Sequence, residues 1–584
     1  MLNEKLSAFT KSPLRLLLPL VLVAAFAAVL WLRLGSLGDK PLHADESEQA
    51  YTLSRLLSGE GYHYDPVEHH GPVMYYLAAL VCKLAGQNSF GELSATVLRI
   101  IPAVFGLVLV AAPLLWRRCG VCVAAAGVAV LLGATSPLAV YYARYFVQET
   151  LFVASFWVAV PLLWRLASDG NDSAKTKWAL AVAAGAMLGV AVASKETWVL
   201  MAAAAAAGAG VAFAGEFRAA RHGWRETAKG IGWQYPAVFA GAAVLVAEAF
   251  FSSFGKNPAG VVDSVMTYTN YINKTSGGPH DKPFAWYFPL LFDIKPVARD
   301  VLVALGLERF ARSIGLGGLT GTREILAGLG SLLALAMLPV RSAWSGQTRR
   351  LAVFFLVSGV TLFFLYSSIA YKTPWLMLGV LPPLWMASGL GVAALWRWVT
   401  GRACAAPDAA GAADSGGLKQ RQCFWVPGIF FSAALLAAGV FQWNAAKFLS
   451  RRFAADERNP LAYVHATGDV KRLTGWLEQL EPLSKEYPLL LRVHLTEYWP
   501  LPWYARRWVG KVGFWRGGPT TTDDALDAPV VITDEQTEAA VAPRLREKYH
   551  EDFLGLRPGV LLRVRLNEDL LRQALKLKEK NAHE

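Results

Sequence analysis

Long uncharged apolar runs recur along the first three quarters of this 584-residue chain, each about the length needed to cross ~30 Å of hydrocarbon at ~1.5 Å per helical residue. They predict spans near 16–33, 97–116, 121–142, 150–164, 178–194, 197–215, 231–251, 325–340, 351–371, 374–396 and 424–446. About eleven crossings follow. Residues 71–86 and 284–304 are apolar but interrupted, and read as interfacial or re-entrant pieces. With 54% hydrophobic and 17% charged residues, against about 25% charged in a typical soluble domain, a purely soluble protein is excluded.

The net charge of +13 is a topology signal rather than a nucleic-acid footprint, because Lys and Arg sit in short clusters between the apolar runs. Lys5, Lys11 and Arg15 precede the first span, and Arg117–Arg118, Arg165 with Lys175 and Lys177, Arg218–Lys229, Arg341–Arg350 and Arg397–Arg421 follow alternate spans. All fall on one side if the spans alternate. The expectation is a multi-pass protein of the cytoplasmic (inner) membrane, its N-terminus cytoplasmic and its C-terminal domain extracytoplasmic.

The chain therefore divides into a transmembrane domain, 1–446, with outer loops 34–96 and 252–322, and an extracytoplasmic α/β domain, 447–584. The Ala/Gly-rich stretch 402–422 reads as a cytoplasmic linker. In the tail, AYVHA (462–466), LLLRVHL (489–495), APVVITDE (528–535) and GVLLRVRL (559–566) have β character. The aromatic segment YWPLPWYARRW (498–508) is suited to stacking on sugars or resting at the membrane interface.

Five cysteines give no paired framework, and the lone CxxC of Cys119 and Cys122 lacks the second half of a metal site. There is no GxxxxGK[ST] and no Gly-rich strand-to-helix turn. Their absence argues against a cytoplasmic nucleotide-sugar enzyme and an ATP-driven pump.

The informative groups lie on the outer side. HADESEQAY supplies His43, Asp45, Glu46 and Glu48; the two acids at the expected start of a helix suit its N-terminus, and a role in catalysis is the alternative. YHYDPVEHHGPVMYYL brings His63, Asp65, Glu68, His69 and His70 together without a strict ligand spacing such as HExxH, so proton relay and sugar-hydroxyl contact stand beside metal binding. In ARYFVQE, Arg144 and Glu149 sit at the junction of the third and fourth spans, as a local salt bridge or as part of an active site. Lys195 in ASKETW and Lys372 in YKTPWL either snorkel to headgroups or hold the phosphate of a lipid-linked substrate, and GGPHDKPFAWYF adds His280.

These segments together resemble the GT-C superfamily of integral-membrane glycosyltransferases, most closely its protein O-mannosyltransferase and aminoarabinose transferase branch. The residues that carry the likeness are the acidic pair Asp45–Glu46, GPVMYYL, ARYFVQE, HDKPFAWYF and YKTPWLMLGVLPPLW. HADESEQAY with DERNPLAYVHATGDV is similar to archaeal and bacterial proteins associated with lipid-sugar flippase activity.

The resemblance implies a polytopic α-helical fold with about eleven transmembrane helices, and transfer of a sugar from a polyprenyl-phosphate donor to a protein, lipid or glycan acceptor, usually with inversion. Asp45 matches the family's base or acceptor-positioning group, with Glu46 beside it, and Glu149 matches a second acidic position that is often Asp in relatives. Asp45, Glu46 and Glu149 are the expected catalytic residues; His43, His69, His70, Arg144, Lys195, His280 and Lys372 are the expected substrate-binding residues. No obligatory cofactor is expected; a divalent metal stays open because family members differ in metal dependence. The alternative reading is a lipid-linked sugar flippase or a flippase-associated factor, with the same charges along a translocation path.

Overall fold

The computed structural model describes residues 14–67, 70–168, 172–214, 232–273, 280–293, 295, 302, 306, 307, 309, 324–401, 425–519 and 526–583. The expected linker 402–422 and the basic cluster 218–229 lie outside the described residues.

In hydrocarbon a backbone has no water to bond with, so an apolar run must close its hydrogen bonds within itself. Helices stand at every position where a span is expected, among them Leu14–Leu34, Val123–Thr135, Glu149–Ser168, Ala174–Val192, Trp198–Ala212, Ile325–Met337 and Trp425–Lys447. Among the described residues six helices, at Ala95–Cys119, Glu149–Ser168, Ala174–Val192, Gln234–Phe251, Gly346–Ser368 and Pro374–Thr400, are long and apolar enough to cross a membrane. The piece 71–86 holds the shorter helix Val73–Leu84.

Two compact units emerge, each assembled from separate stretches of chain. The first comprises Met1–Leu37, Pro102–Ala249 and Val265–Arg452; the second comprises Gly38–Ile101, Phe250–Ser264 and Phe453–Glu584.

In the first unit, small residues let helices approach closely, as expected where lipid removes the usual hydrophobic drive between them. A Cβ on Gly389 would lie 2.1 Å from the Ala125 carbonyl oxygen, and one on Gly185 would lie 2.3 Å from that of Phe239. Ser331 Oγ donates to Leu384 O at 3.1 Å and Ser388 Oγ to Ala327 O at 2.9 Å, tying Ile325–Met337 to Leu381–Thr400. Arg33 is fully buried at the end of the first helix, its guanidinium donating to Ala134 O and Gly133 O at 3.0 and 2.9 Å.

The second unit contains a five-stranded sheet in the order β2-β1-β3-β5-β4, with β1 Leu491–Leu495, β2 Val512–Arg516, β3 Val530–Thr533, β4 Tyr549–Arg557 and β5 Val560–Asn567. β1 runs parallel to β2 and β3, and β5 is antiparallel to β3 and β4. Three of the expected strands are present. A correction applies to AYVHA: it is a turn, with Val464 in the left-handed region (φ 48°) and the His465 amide bonded to Ala462 O. The strands missing from the sequence reading, β2 and β4, are the two edges. An edge strand pairs on one side only and tolerates charges such as Glu551 and Asp552, which dilute the hydrophobic pattern.

The segment YWPLPWYARRW needs a correction as well. Trp503, Tyr504 and Trp508 are buried within the second unit rather than offered to sugars or bilayer. Tyr504 Oη accepts from Leu42 N at 3.1 Å, Trp508 Nε1 donates to Glu481 at 2.7 Å, and Arg506 lies 4.0 Å over the Trp503 ring while donating to Leu93 O. The tail thus packs on residues 38–101 of the same unit.

Candidate active site

In the second unit the helix Ala44–Leu57 begins where His43 caps it. His43 Nδ1 accepts from Asp45 N at 3.1 Å, and Glu46 Oε2 accepts from His43 N at 3.1 Å, so both acids occupy the first turn, where the helix favours negative charge. From that shared start the two carboxylates diverge. Glu46 is fully buried and receives Arg99 Nε and Nη2, each at 2.7 Å, while Arg99 Nη1 and Nη2 also donate to Lys40 O and Pro41 O. Asp45 keeps a side chain 43% exposed, with Oδ1 3.4 Å from His43 Nδ1.

His465 lies beneath this turn, its ring 5.6 Å from that of His43 and its Nδ1 3.0 Å from Ala466 O. Burial, then the positive charge of Lys40 and the neighbouring His43, hold His465 well below the usual histidine range. His70 is half-buried just ahead of the helix Val73–Leu84, and Glu68 and His69 lie outside the described residues.

In the first unit, Glu149 opens the helix Glu149–Ser168 and Lys195 sits in the turn between Ala174–Val192 and Trp198–Ala212. The Lys195 ammonium donates to the Glu149 carboxylate, and both side chains are almost wholly buried. Each was expected to act separately; the fold makes them partners. Tyr142, Tyr287 and Tyr366 are buried within range of the Glu149 charge, and Tyr287 Oη donates to Thr373 O at 3.1 Å. Glu196, next to Lys195, is also buried.

Arg144, expected to contact substrate, is held by the backbone of the first helix. Its guanidinium donates to the carbonyls of Leu32, Arg33, Gly35 and Ser36 at 2.6–3.2 Å, which closes the C-terminal end of the helix Leu14–Leu34. The ARYF turn is thereby anchored to the first helix.

His280 and Lys372 come together although 92 positions separate them in the sequence. Lys372 N donates to His280 O at 3.0 Å, Lys282 N donates to Ala370 O at 3.0 Å, and Asp281 pairs with Tyr371 in an antiparallel bridge. The His280 ring packs 5.0 Å from that of Tyr371. The Lys372 ammonium donates to Ile369 O; burial lowers its pKa and Asp281 opposes that shift. HDKP and YKTP are therefore two sides of one small ladder.

Among the described residues, no group of three His, Cys, Asp or Glu side chains is arranged to hold a metal ion. Arg99, Tyr287, Tyr366 and His465 were missed in the sequence. Arg99 carried a signal: a charge inside an apolar run, costly unless paired. The tyrosines carried none, since aromatic residues are common throughout the apolar runs.

Residues 69–231 match the family model described as dolichyl-phosphate-mannose-protein mannosyltransferase. No curated protein matches the sequence. Among solved structures, ArnT from Cupriavidus metallidurans bound to undecaprenyl phosphate is similar over 93% of this chain and 97% of its own, with 14% identity and a TM-score of 0.56. The oligosaccharyltransferase AglB from Archaeoglobus fulgidus, in complex with an inhibitory peptide and a dolichol-phosphate, is matched over 91% of this chain and 72% of its own, at 15% identity and a TM-score of 0.48. The chain thus has the character of a membrane protein and shares the fold of the ArnT structure, and its residues 69–231 match the family model described as dolichyl-phosphate-mannose-protein mannosyltransferase.

Proposed function

We propose that this protein is a glycosyltransferase that takes a sugar from a polyprenyl-phosphate-linked donor and transfers it to an acceptor on the outer side of the cytoplasmic membrane. The observation that carries the reading is the division of labour between Asp45 and Glu46. One carboxylate is sealed in an ion pair, and its neighbour is half exposed on a capped, fixed turn. That is the arrangement a general base needs: a rigid backbone beneath an accessible acid group. The GT-C fold and the undecaprenyl phosphate held by the ArnT structure support a lipid-phosphate donor.

In this mechanism Asp45 takes the proton of the acceptor hydroxyl as its oxygen attacks the anomeric carbon. The bond from that carbon to the phosphate oxygen breaks, and the departing lipid phosphate carries the negative charge away. Inversion follows from a single displacement. His70, in the same unit as Asp45, is assigned as a hydrogen-bond donor to the donor phosphate, where negative charge grows in the transition state. Glu46 and His43 position Asp45. Glu149, neutralised by Lys195, holds its polar surroundings in the first unit. No metal is required by these steps.

The test uses the full chain in liposomes with undecaprenyl-phosphate-linked mannose, glucose or 4-amino-4-deoxyarabinose as probes. Release of undecaprenyl phosphate is the expected result. Movement of the intact lipid between leaflets without release overturns this reading in favour of a flippase.

A further inference from the structure

Within the first unit the helices Leu14–Leu34 and Trp425–Lys447 end side by side. Leu32 packs with Ala446 and Val140, and the Trp31 and Trp443 rings stack at 6.3 Å. Beyond Lys447 the chain widens into a π turn over Phe448–Arg452, a deviation that re-aims side chains and is frequent at functional sites. Arg451, on that turn, lies face-on to Trp31, its guanidinium carbon 3.8 Å from the ring centre and its Nη2 donating to Trp31 O at 2.7 Å. A Cβ on Gly35 would lie 2.6 Å from that nitrogen, and glycine leaves it room. The Lys447 ammonium is 5.9 Å from the centre of the same ring. Lys447 and Arg452 are exposed, and Trp31 is 44% exposed.

Helix capping does not account for this charge. The carbonyls of Trp31, Leu32, Arg33, Gly35 and Ser36 are taken by Arg144 and Arg451, which leaves Lys447 outside that task. Among the described residues Lys447 makes no hydrogen bond or ion pair. Neither 14–38 nor 425–455 contains an Asp or Glu. A helix C-terminus favours a nearby cation, but Lys447, Arg451 and Arg452, with no acid on either segment, leave positive charge to be met. Counted through the alternating spans, both helix ends fall opposite the basic clusters that set the topology, against the bias that keeps Lys and Arg in cytoplasmic loops. Cations kept against that bias and framed by two tryptophans call for an anion at the boundary between hydrocarbon and water.

We propose that Lys447 and Arg452, with Trp31 and Trp443, form a binding site for the headgroup of an anionic phospholipid of the outer leaflet. The two exposed cations meet its phosphate, and the indoles carry the glycerol and the first carbons of its chains. A zwitterionic lipid fits less well, because its own ammonium meets a cluster of cations. The half-exposed Trp31 makes this an open surface site, suited to an abundant bilayer component. The site belongs to a lipid other than the sugar donor and does not depend on the transfer reaction proposed above.

The experiment titrates the full chain in detergent with phosphatidylglycerol, phosphatidylethanolamine or undecaprenyl phosphate and reads bound lipid by native mass spectrometry. The proteins are the wild type, Lys447→Gln, the double variant Lys447→Gln/Arg452→Gln and the charge-keeping Lys447→Arg/Arg452→Lys. The wild type is expected to bind phosphatidylglycerol about 10-fold more tightly than phosphatidylethanolamine. The double Gln variant should lose about 10–30-fold in affinity for phosphatidylglycerol and Lys447→Gln about 5-fold, with smaller losses for phosphatidylethanolamine, while the charge-keeping variant retains wild-type binding. Equal binding of the two phospholipids by the wild type, or phosphatidylglycerol affinity unchanged in the double Gln variant, overturns the proposal. A larger loss for undecaprenyl phosphate than for phosphatidylglycerol overturns it in favour of a site for the substrate lipid. If the double Gln variant does not fold, Lys447→Gln decides, since its exposed side chain bears no hydrogen bond, and unchanged phosphatidylglycerol affinity there overturns the proposal.

Discussion

Arg99 grips Glu46 with two parallel bonds of 2.7 Å, Nε to Oε1 and Nη2 to Oε2, between side chains that are almost completely buried. The pair joins the first turn of Ala44–Leu57 to the start of Ala95–Ala111 and leaves Asp45 as the accessible acid of the turn. Removing one member leaves the other charged and unpaired in a dry interior. Arg99→Met is expected to destabilise the protein by about 3–5 kcal/mol, read as a lower thermal midpoint in detergent. The double variant Glu46→Leu/Arg99→Met should recover more than half of the loss. A double variant no more stable than the single one contradicts the pairing.

The Glu149–Lys195 pair leads to a different kind of prediction, because both partners are buried in the first unit beside three tyrosines. Lys195→Met strands the Glu149 carboxylate and should lower both stability, by about 3–5 kcal/mol, and donor turnover. Lys195→Met combined with Glu149→Gln removes both charges and should restore most of the stability without restoring full turnover. If the double variant regains neither, the two residues are not coupled. Thermal midpoints and undecaprenyl phosphate release, measured on the same preparations, separate these results.

His465 predicts a dependence on pH. Its folded-state pKa lies well below the unfolded value, chiefly through burial and then through Lys40 and His43, while Glu46 and the Ala466 carbonyl oppose the shift. The unfolded chain therefore binds a proton that the folded chain refuses. The contribution of this histidine to stability is complete above about pH 6.5 and is lost as pH falls below it, at up to ~1.4 kcal/mol per pH unit. His465→Gln should flatten the stability profile between about pH 6.5 and 5. Parallel profiles for wild type and variant contradict the assignment.

Much of the fold was legible because its strongest physical demand, satisfying backbone groups in hydrocarbon, writes itself as long uncharged runs. The start of the helix at Asp45–Glu46 was equally legible, since acids near a helix N-terminus have a local cause. The different fates of those acids were not. They depend on Arg99, 53 positions later, and on a salt bridge that exists only after folding. Glu149 and Lys195 were each visible as unusual charges at span ends, but 46 residues separate them and no local spacing rule pairs them. In the tail, the central strands β1 and β3 and the neighbouring β5 betrayed themselves by apolar runs, whereas the edges β2 and β4 did not. AYVHA misled because alternating apolar residues look like a strand until the backbone at Val464 turns left-handed. Arg144 illustrates the remaining gap: its residue type announced a charge to be satisfied, and the partners proved to be backbone carbonyls of the first helix.

The most direct test compares the wild type with Asp45→Asn, reconstituted as full chains in liposomes containing the undecaprenyl-phosphate-linked sugar that the wild type cleaves best. Asp45 is half exposed, so the variant should insert and unfold like the wild type. Its rate of undecaprenyl phosphate release should fall by about 100-fold or more, the contribution of a positioned general base. Release at the wild-type rate by a correctly inserted Asp45→Asn protein contradicts the account.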